Sequence, residues 1–244
     1  MNILFLDIEK TPQLGAFYET FNTTIPRYMV TQRSFVPSIS WAWNDDEEIQ
    51  NVNVTHDVKR WVDDHTDDYH VIKTIWKQIE KADLIVGHYV KGFDWKVLYG
   101  LSILHDLDPI EPKRCVDTLG EARKCKYDSN KLDELCKQFG FDRKIEHEQK
   151  MMLGCAQGDY ESIMTCAHYN NGDIPGMRKL FYKFRPYSHT NQYPNMRKIT
   201  GTLCCDRCAG THLQKRGTNA YGDTVYGCMG CRRRMPVKEK KNVS

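Results

Sequence analysis

The sequence lacks the long apolar runs that membrane helices need. Nowhere among its 244 residues do about 18 apolar residues follow one another. The apolar stretch near the N-terminus, Ile3 to Leu6, is too short for a secretion signal and has no basic residue before it. Internal repeats are absent, and the only low-complexity segment is the closing MPVKEKKNVS. With 40% hydrophobic and 27% charged residues, the composition is that of an ordinary globular protein. We therefore expect an intracellular, cytoplasmic protein without a membrane partner.

A strong net charge is lacking too, because the formal value is only +3. That small value hides an asymmetry. Residues 201–244 contain nine Lys/Arg against three Asp/Glu, which leaves 26 against 29 for residues 1–200. A basic C-terminal module on a slightly acidic body suggests a polyanionic partner such as nucleic acid. A tail that is merely solvated is the alternative.

The ten cysteines do not have the distribution of a disulfide framework, because five of them lie between positions 204 and 231. Cys205 and Cys208 form one C-x₂-C pair and Cys228 and Cys231 another, with nineteen residues between the pairs. This spacing is typical of a structural Zn²⁺ site with four thiolate ligands. The spare Cys204 would give the less usual C-x₃-C. A redox pair is the alternative for either C-x₂-C.

The segment between the two cysteine pairs, HLQKRGTNAYGDTVYGC, has turn glycines between β-prone pieces. It predicts the hairpin of a zinc ribbon over residues 201–235, followed by a basic tail at 236–244. Basic side chains near the cysteines would neutralise phosphates, and interleaved tyrosines would stack on unpaired bases. Protein interaction is the alternative role for this module. The candidate nucleic-acid contacts are Lys215, Arg216, Arg232, Arg233 and Arg234.

Hydrophobic patterning upstream predicts a mixed α/β sheet. NILFLDIE is a continuous apolar run that suits a buried strand, and two β-rich pieces follow within residues 35–54. From Asp67, an expected N-cap, apolar residues recur with helical spacing as far as Ala82. Then DLIVGHY and RCVDTL favour strands, while DWKVLYGLSILHDL and SNKLDELCKQFG favour helices. A β-meander followed by alternating helices and strands predicts a mixed sheet with helices on its faces.

Two helical patterns follow, over residues 159–168 and 174–184. The NNG between them is a weak helix former, and Pro175 favours a second helix start. The next segment, RPYSHTNQYPN, has the composition of a linker. We therefore place the domain boundary near Thr200, with residues 1–195 as the first domain.

Acidic residues recur at three places in this first domain. Asp7 and Glu9 are two apart on the first strand, so their carboxylates share one face. Asp94 lies at a strand-to-helix junction in GHYVKGFD, and Asp173 follows Tyr169 by four residues in HYNNGD. A D-x-E pair alone is common by chance, so the interpretation depends on all three places together.

In this pattern the chain resembles the DEDD superfamily of 3′ to 5′ exonucleases, which are DnaQ-like and ribonuclease H-like. VDTLGEARKCKYDSNKLDELCKQFG is also similar to a stretch in phage-type members, and the resemblance runs from Met1 to Pro186. It implies an α/β, ribonuclease H-like fold for residues 1–195. One departure is Tyr89, where many relatives have asparagine. This departure puts in doubt any substrate contact at that position.

The resemblance also implies roles for individual residues. Tyr169, or else His168, would lie beside the attacking water. Two divalent ions can activate that water and stabilise the charge on the attacking and leaving oxygens. Such ions prefer carboxylate ligands. The ligands implied for two Mg²⁺ or Mn²⁺ ions are Asp7, Glu9, Asp94 and Asp173.

We therefore expect a metal-dependent 3′ to 5′ exonuclease that acts on a single-stranded 3′ end of DNA or RNA. One alternative is an endonuclease with the same acids, and another is a non-catalytic nucleic-acid-binding protein on the same scaffold. A third is a zinc-ribbon adaptor that contacts a replication or transcription protein. The choice between DNA and RNA stays open at this point.

Overall fold

The computed structural model describes residues 1–18, 24–44, 46–141, 149–188 and 193–238. The chain divides into two compact units, one formed by Asn2–Lys179 and a second that begins at Leu180. None of the helices in these described ranges is long and apolar enough to cross a membrane. Each unit is described by itself.

Among its described residues, the first unit contains seven strands and most of the helices. Its strands are β1 (Ile3–Glu9), β2 (Leu14–Gly15), β3 (Val30–Gln32), β4 (Ser38–Trp43), β5 (Gln50–Asn53), β6 (Leu84–Gly87) and β7 (Arg114–Asp117). The helices that follow in chain order are α1 (Val58–Asp63), α2 (Tyr69–Lys81), α3 (Asp94–Leu104), α4 (Thr118–Ala122), α5 (Leu132–Gln138), α6 (Gln149–Ala156) and α7 (Tyr160–Phe184). The last residues of α7, from Leu180 onward, belong to the second unit.

Five of these strands form one mixed sheet in the order β5-β4-β1-β6-β7. β4 is antiparallel to both of its neighbours, β5 and β1, as the β-meander predicted, and β6 and β7 run parallel to β1. The apolar run at the start of the sequence is central in the sheet and is buried from Ile3 to Leu6. The predicted mixed α/β architecture is confirmed. A two-stranded sheet of β2 and β3 adds to it and was not predicted.

Helix α2 buries the apolar face that its spacing predicts: Val71, Ile72, Ile75, Trp76 and Ile79. Its N-cap is Asp68 and not the expected Asp67. The Asp68 side chain does not cap the helix, because its carboxylate accepts hydrogen bonds from the amide of Val36 at 2.9 Å and from His105 at 2.7 Å. The start of the helix is therefore tied to the segment before β4 and to the end of α3.

Helix α7 is a single helix of 25 residues, although the sequence favoured two. Pro175 lies inside it and faces solvent. Residues on the packed face are buried on both sides of the weak NNG segment, from Ile163 and Cys166 to Ile174 and Met177. Tertiary burial of this face outweighs the low helix propensity of the middle.

The second unit has a short helix, α8 (Met196–Thr200), and a three-stranded antiparallel sheet. The strands are β8 (Leu213–Thr218), β9 (Thr224–Cys228) and β10 (Arg234–Val237) in the order β10-β9-β8. The predicted hairpin is β8 and β9, and Gly217, with a φ of +120°, lies where their register shifts. The domain limits 1–195, 201–235 and 236–244 stay a prediction, and residues 239–244 of the expected basic tail lie outside the described residues.

Candidate functional site

Two acidic side chains lie at the C-terminal end of the central strand β1. Asp7 and Glu9 alternate with Ile8, so both side chains leave the same face of the sheet. Strand β6 pairs with β1 only from Ile3 to Phe5, whereas β4 pairs with β1 as far as Glu9. One edge of β1 is therefore open beside the two acids.

Asp94 fills this open edge. It is the first residue of α3 and is only 3% exposed. Its Oδ1 accepts a hydrogen bond of 3.3 Å from the amide of Ile8. Burial raises the pKa of the Asp94 carboxyl to about 7, and the charges of Asp117 and Asp173 act in the same direction. The site thus disfavours the charged carboxylate unless a cation compensates it.

Asp173 reaches the same place from helix α7. One carboxylate oxygen each from Asp7, Glu9 and Asp173 lies within 4.8 Å of the others, and we call these residues the three-acid cluster. Among the described residues Asp94 does not meet this distance, but its charge interacts with that of Asp173. The structure therefore brings the four sequence-predicted acids to one end of the sheet, three of them as a tight cluster.

The three-acid cluster fits a hard divalent cation. Asp173 is buried, and Asp7 and Glu9 are half-buried. Carboxylates so close together repel one another, and burial weakens the screening of that repulsion by water. Oxygen ligands of this kind are those that Mg²⁺ and Mn²⁺ prefer. The donor set therefore matches the cofactor expected from the sequence.

Asn170 is a residue of this site that sequence reasoning missed. Its side chain is completely buried, and its Nδ2 donates a hydrogen bond of 2.6 Å to Asp7 Oδ2. The next residue, Asn171, accepts a 2.7 Å hydrogen bond from Ser40, which is the cross-strand neighbour of Asp7. The NNG segment was interpreted only as a weak helix former, but it orients an acid of the cluster.

Asp117 was also missed. It ends strand β7, and its Oδ1 accepts hydrogen bonds from the amides of Tyr89, Leu119 and Gly120. Tyr89 is exposed and has a φ of +76°, which is unusual for a bulky residue. Asp117 therefore fixes the loop that leads to Asp94. The available signal was its place at the carboxyl end of a parallel strand, where sites of α/β sheets gather.

The two candidates for assisting the water differ in their surroundings. Because α7 continues through both, Tyr169 lies about 40° around the helix from Asp173 and His168 about 140° away. His168 is exposed, whereas Tyr169 is half-buried and packs against the hydrophobic core. Tyr169 therefore shares the helix face of Asp173.

The four predicted cysteines meet in the second unit. The Sγ atoms of Cys205, Cys208, Cys228 and Cys231 all lie within 4.8 Å of one another. The Cys205 to Cys231 and Cys208 to Cys228 distances are both 3.6 Å, much longer than the disulfide bond length of about 2 Å. A tetrahedron with metal–sulfur bonds of about 2.3 Å has sulfur–sulfur edges of about 3.8 Å. The spacing therefore fits a tetrahedral four-thiolate centre, and the fold fits a zinc ribbon.

We call the turns around the two C-x₂-C pairs the first knuckle (Cys205 and Cys208) and the second knuckle (Cys228 and Cys231). Backbone amides in both knuckles point at these sulfurs. The amide of Gly210 donates to Cys208 Sγ at 3.4 Å, and that of Cys231 to Cys228 Sγ at 3.5 Å. Burial opposes ionisation of Cys228, but the amides of Cys231 and Gly230 lower the pKa of its thiol to about 7. Such donors favour the thiolate, which is the form that binds metal, whereas burial and the neighbouring sulfurs raise the pKa of the Cys208 and Cys231 thiols in the absence of a cation. Cys204 is buried outside the cluster, where its sulfur lies 3.4 Å from Thr200 Oγ1.

All five predicted basic residues of this unit are exposed: Lys215, Arg216, Arg232, Arg233 and Arg234. Arg233 also forms a 3.4 Å ion pair with Asp206. Tyr221, at the turn between β8 and β9, is exposed as well, whereas Tyr226 is half-buried. The unit therefore presents cationic side chains to solvent around its cysteine cluster.

Comparison with protein families gives one match over most of the chain. A family model described as the RNase H superfamily matches residues 4–185. The chain belongs to the RNase H superfamily. RNase H-like nucleases use divalent metals, so this membership supports nuclease activity in general terms and agrees with the carboxylate cluster. All four acids, Tyr169 and Asn170 lie inside the matched segment.

Among solved structures, this RNase H superfamily chain is similar to a family B DNA polymerase from the hyperthermophilic archaeon Pyrobaculum calidifontis. The TM-score is 0.56 with 17% sequence identity, and the alignment covers 76% of this chain and 25% of the polymerase. The chain thus spans about a quarter of the polymerase, and the likeness shows a shared fold. Comparison with curated proteins gives no match.

Proposed function

We propose that the protein is a DEDD-type 3′ to 5′ exonuclease that hydrolyses phosphodiester bonds of DNA or RNA. The observation that carries this proposal is the three-acid cluster beside the buried Asp94. Membership in the RNase H superfamily and the fold shared with part of a DNA polymerase support it. The four acids also follow one another along the chain in the order of the DEDD pattern.

Asp7, Glu9, Asp94 and Asp173 would hold the Mg²⁺ or Mn²⁺ ions. Two such ions, when bound, supply Lewis acidity for the attacking water and neutralise charge on the attacking and leaving oxygens. Asp94 stays anchored to β1 by the Ile8 amide. The buried Asn170 holds the Asp7 carboxylate in one orientation, so that this ligand does not have to be ordered when substrate arrives.

Tyr169 would place its phenol hydroxyl where the water is activated. It follows the same face of α7 as Asp173, and its ring is supported by the core. A hydroxyl held at this point can donate to or accept from the water and so fix its direction of attack. Exposed His168 has less support for this role.

The second unit would bind one Zn²⁺ through its four cysteines and contact the nucleic acid. The sulfur spacing and the amide donors support a closed structural centre, which leaves no position for catalysis at the metal. Exposed arginines beside it would neutralise phosphates of a single-stranded 3′ end. A replication or transcription protein is the alternative partner of this surface.

The function is tested with single-stranded DNA and RNA oligonucleotides labelled at the 5′ or the 3′ end, incubated with Mg²⁺ or Mn²⁺. We expect the 5′ label to give a ladder that shortens stepwise and the 3′ label to appear at once as mononucleotide. EDTA should abolish both patterns. Internal fragments without a ladder would indicate an endonuclease, and binding without cleavage under every metal condition would contradict nuclease activity.

The ribbon's contact with nucleic acid is tested separately, in a variant with Arg216, Arg232 and Arg234 changed to alanine. Each phosphate contact contributes about 0.7 to the slope of log affinity against log salt on single strands. The variant should therefore bind more weakly, with a slope smaller by about 2, in a binding assay without added Mg²⁺ or Mn²⁺. A control variant removes three exposed lysines of the first unit: Lys59, Lys77 and Lys81. Equal slopes for both variants would favour a protein partner.

A further inference from the structure

Arg185 is a buried cation in the second unit. It follows α7 in a short 3₁₀ turn and is only 2% exposed. Its Nε donates a hydrogen bond to the carbonyl of Arg207, and its Nη2 donates one to the carbonyl of Pro194. The guanidinium also lies over two aromatic rings, 5.5 Å from the centroid of Phe181 and 5.7 Å from that of Tyr193. Hydrogen bonds and ring contacts from several directions thus hold this side chain in place.

These contacts do not neutralise the charge of Arg185. Burying a charge is costly unless an opposite charge compensates it. Within the described ranges no Asp or Glu pairs with this guanidinium, and its buried Nη1 has no acceptor.

The sulfurs of the first knuckle are among the groups of opposite polarity near Arg185. Burial lowers the pKa of its guanidinium to about 10, while the phenols of Tyr182 and Tyr193, followed by the thiols of Cys208 and Cys205, act in the opposite direction. Arg207, whose carbonyl accepts the Nε hydrogen bond, lies between these two cysteines in the sequence. Arg185 therefore contacts the backbone of the knuckle and interacts electrostatically with its sulfurs.

We propose that Arg185 is a positioning residue and the buried counter-ion of the metal–thiolate centre. This inference rests on the proposal that the four cysteines bind a divalent metal. Four thiolates and one Zn²⁺ have a net charge of −2, so the loaded centre would compensate the guanidinium. Without metal the four sulfurs carry less negative charge than the loaded centre, so the cation is less well compensated. Metal binding and the burial of Arg185 should consequently stabilise each other.

This coupling makes a prediction that simple packing does not make. Arg185→Met keeps much of the volume but removes the charge, so it should weaken metal binding. In metal-free protein the same change should lower the thermal midpoint less than in zinc-loaded protein, because removal of a buried charge without a partner offsets the loss of the hydrogen bonds to Arg207 and Pro194. An arginine that only fills space would lower the midpoint equally in both states.

The experiment uses the full chain and begins with the zinc content of the unchanged protein, which we expect to be about one per chain. Zinc affinity is then measured by competition with a chromophoric chelator, and thiolate coordination by the charge-transfer band of the Co²⁺-substituted protein. Because removal of groups that support metal ligands typically costs about 10- to 100-fold in affinity, we expect a loss in this range for Arg185→Met. Arg185→Lys, which retains the charge, should lose much less.

The matched control is Arg197→Met. Arg197 lies in the same unit, donates to the carbonyl of Pro236 at 3.3 Å and also has a buried nitrogen without an acceptor in the described chain. Its zinc affinity should stay within about threefold of the unchanged protein. Absence of metal from the unchanged protein would overturn the metal centre and this role with it. A loaded protein whose affinity is the same with Arg185→Met, or reduced equally by Arg185→Lys and Arg185→Met, would overturn the counter-ion role alone.

Discussion

Asp7→Asn should leave the protein folded and lower its rate of phosphodiester cleavage by about three orders of magnitude. Interaction with divalent metal contributes several kcal/mol to stabilising charge in the transition state, and about 1.4 kcal/mol corresponds to a factor of ten in rate. A neutral amide has nearly the shape of the carboxylate but cannot supply its charge to a cation. The loss should therefore appear in kcat at saturating Mg²⁺ or Mn²⁺.

The same substitution should not destabilise the metal-free protein. Asp7 is one of three carboxylates within 4.8 Å of one another, so removing its charge relieves repulsion. The Oδ1 of an asparagine at position 7 can still accept the hydrogen bond that Asn170 donates. We expect a thermal midpoint equal to or above that of the unchanged protein, with a smaller increase when Mn²⁺ is added.

The control for Asp7→Asn is Asp63→Asn, an identical change at an exposed position at the end of α1. Its cleavage rate and its response to Mn²⁺ should match those of the unchanged protein. Near-normal turnover in a folded Asp7→Asn protein would contradict the role of Asp7 as a metal ligand. A loss of activity together with a lower thermal midpoint would point instead to damage of β1.

The parts of the fold that the sequence predicts are those in which local pattern and burial agree. Helix α2 repeats its apolar residues with helical spacing, and strand β1 is apolar through its buried half. The two cysteine pairs were equally informative, because a metal cage requires its ligands at short, fixed spacings. In each case residues close in sequence are sufficient to specify the feature.

Features that depend on distant residues were not accessible from the sequence. The hydrogen bond from Asn170 to Asp7 joins positions 163 residues apart. In the sequence Asn170 is only a poor helix former, since its partner is set by the packing of α7 against β1. The second helix start predicted at Pro175 was wrong for a related reason. The helix around Pro175 is stabilised by burial and not by local propensity.

The segment interpreted as a linker illustrates the same limit. RPYSHTNQYPN has the polar and proline-rich composition of a connection. Yet Arg185, its first residue, is completely buried and donates to the carbonyl of Arg207 in the first knuckle. Composition averages over a segment and so does not reveal that one charged side chain within it is buried.

The position of Tyr169 on α7 leads to the second large effect, a loss of activity in Tyr169→Phe. This change removes one hydroxyl and keeps the ring that packs against the core, so the fold should be unaffected. If the hydroxyl fixes or helps to deprotonate the attacking water, its loss should lower kcat by about 10²- to 10⁴-fold. Metal binding, measured by the Mn²⁺-induced shift of the thermal midpoint, should remain because the four carboxylates are intact.

His168→Ala is the matched comparison, because it removes the neighbouring candidate from an exposed position on the same helix. Alanine favours helix, so this variant should be at least as stable as the unchanged protein. A continuous α7 directs His168 about 140° away from Asp173, and we expect its removal to change kcat by less than about threefold.

Both variants should be assayed on the same labelled single strand at saturating metal. If His168→Ala shows the larger loss while both proteins are folded and bind Mn²⁺, the histidine and not the tyrosine assists the water. α7 would then have to open near Asn170 in the working enzyme, and hydrogen exchange of the amides from 169 to 173 would detect that opening.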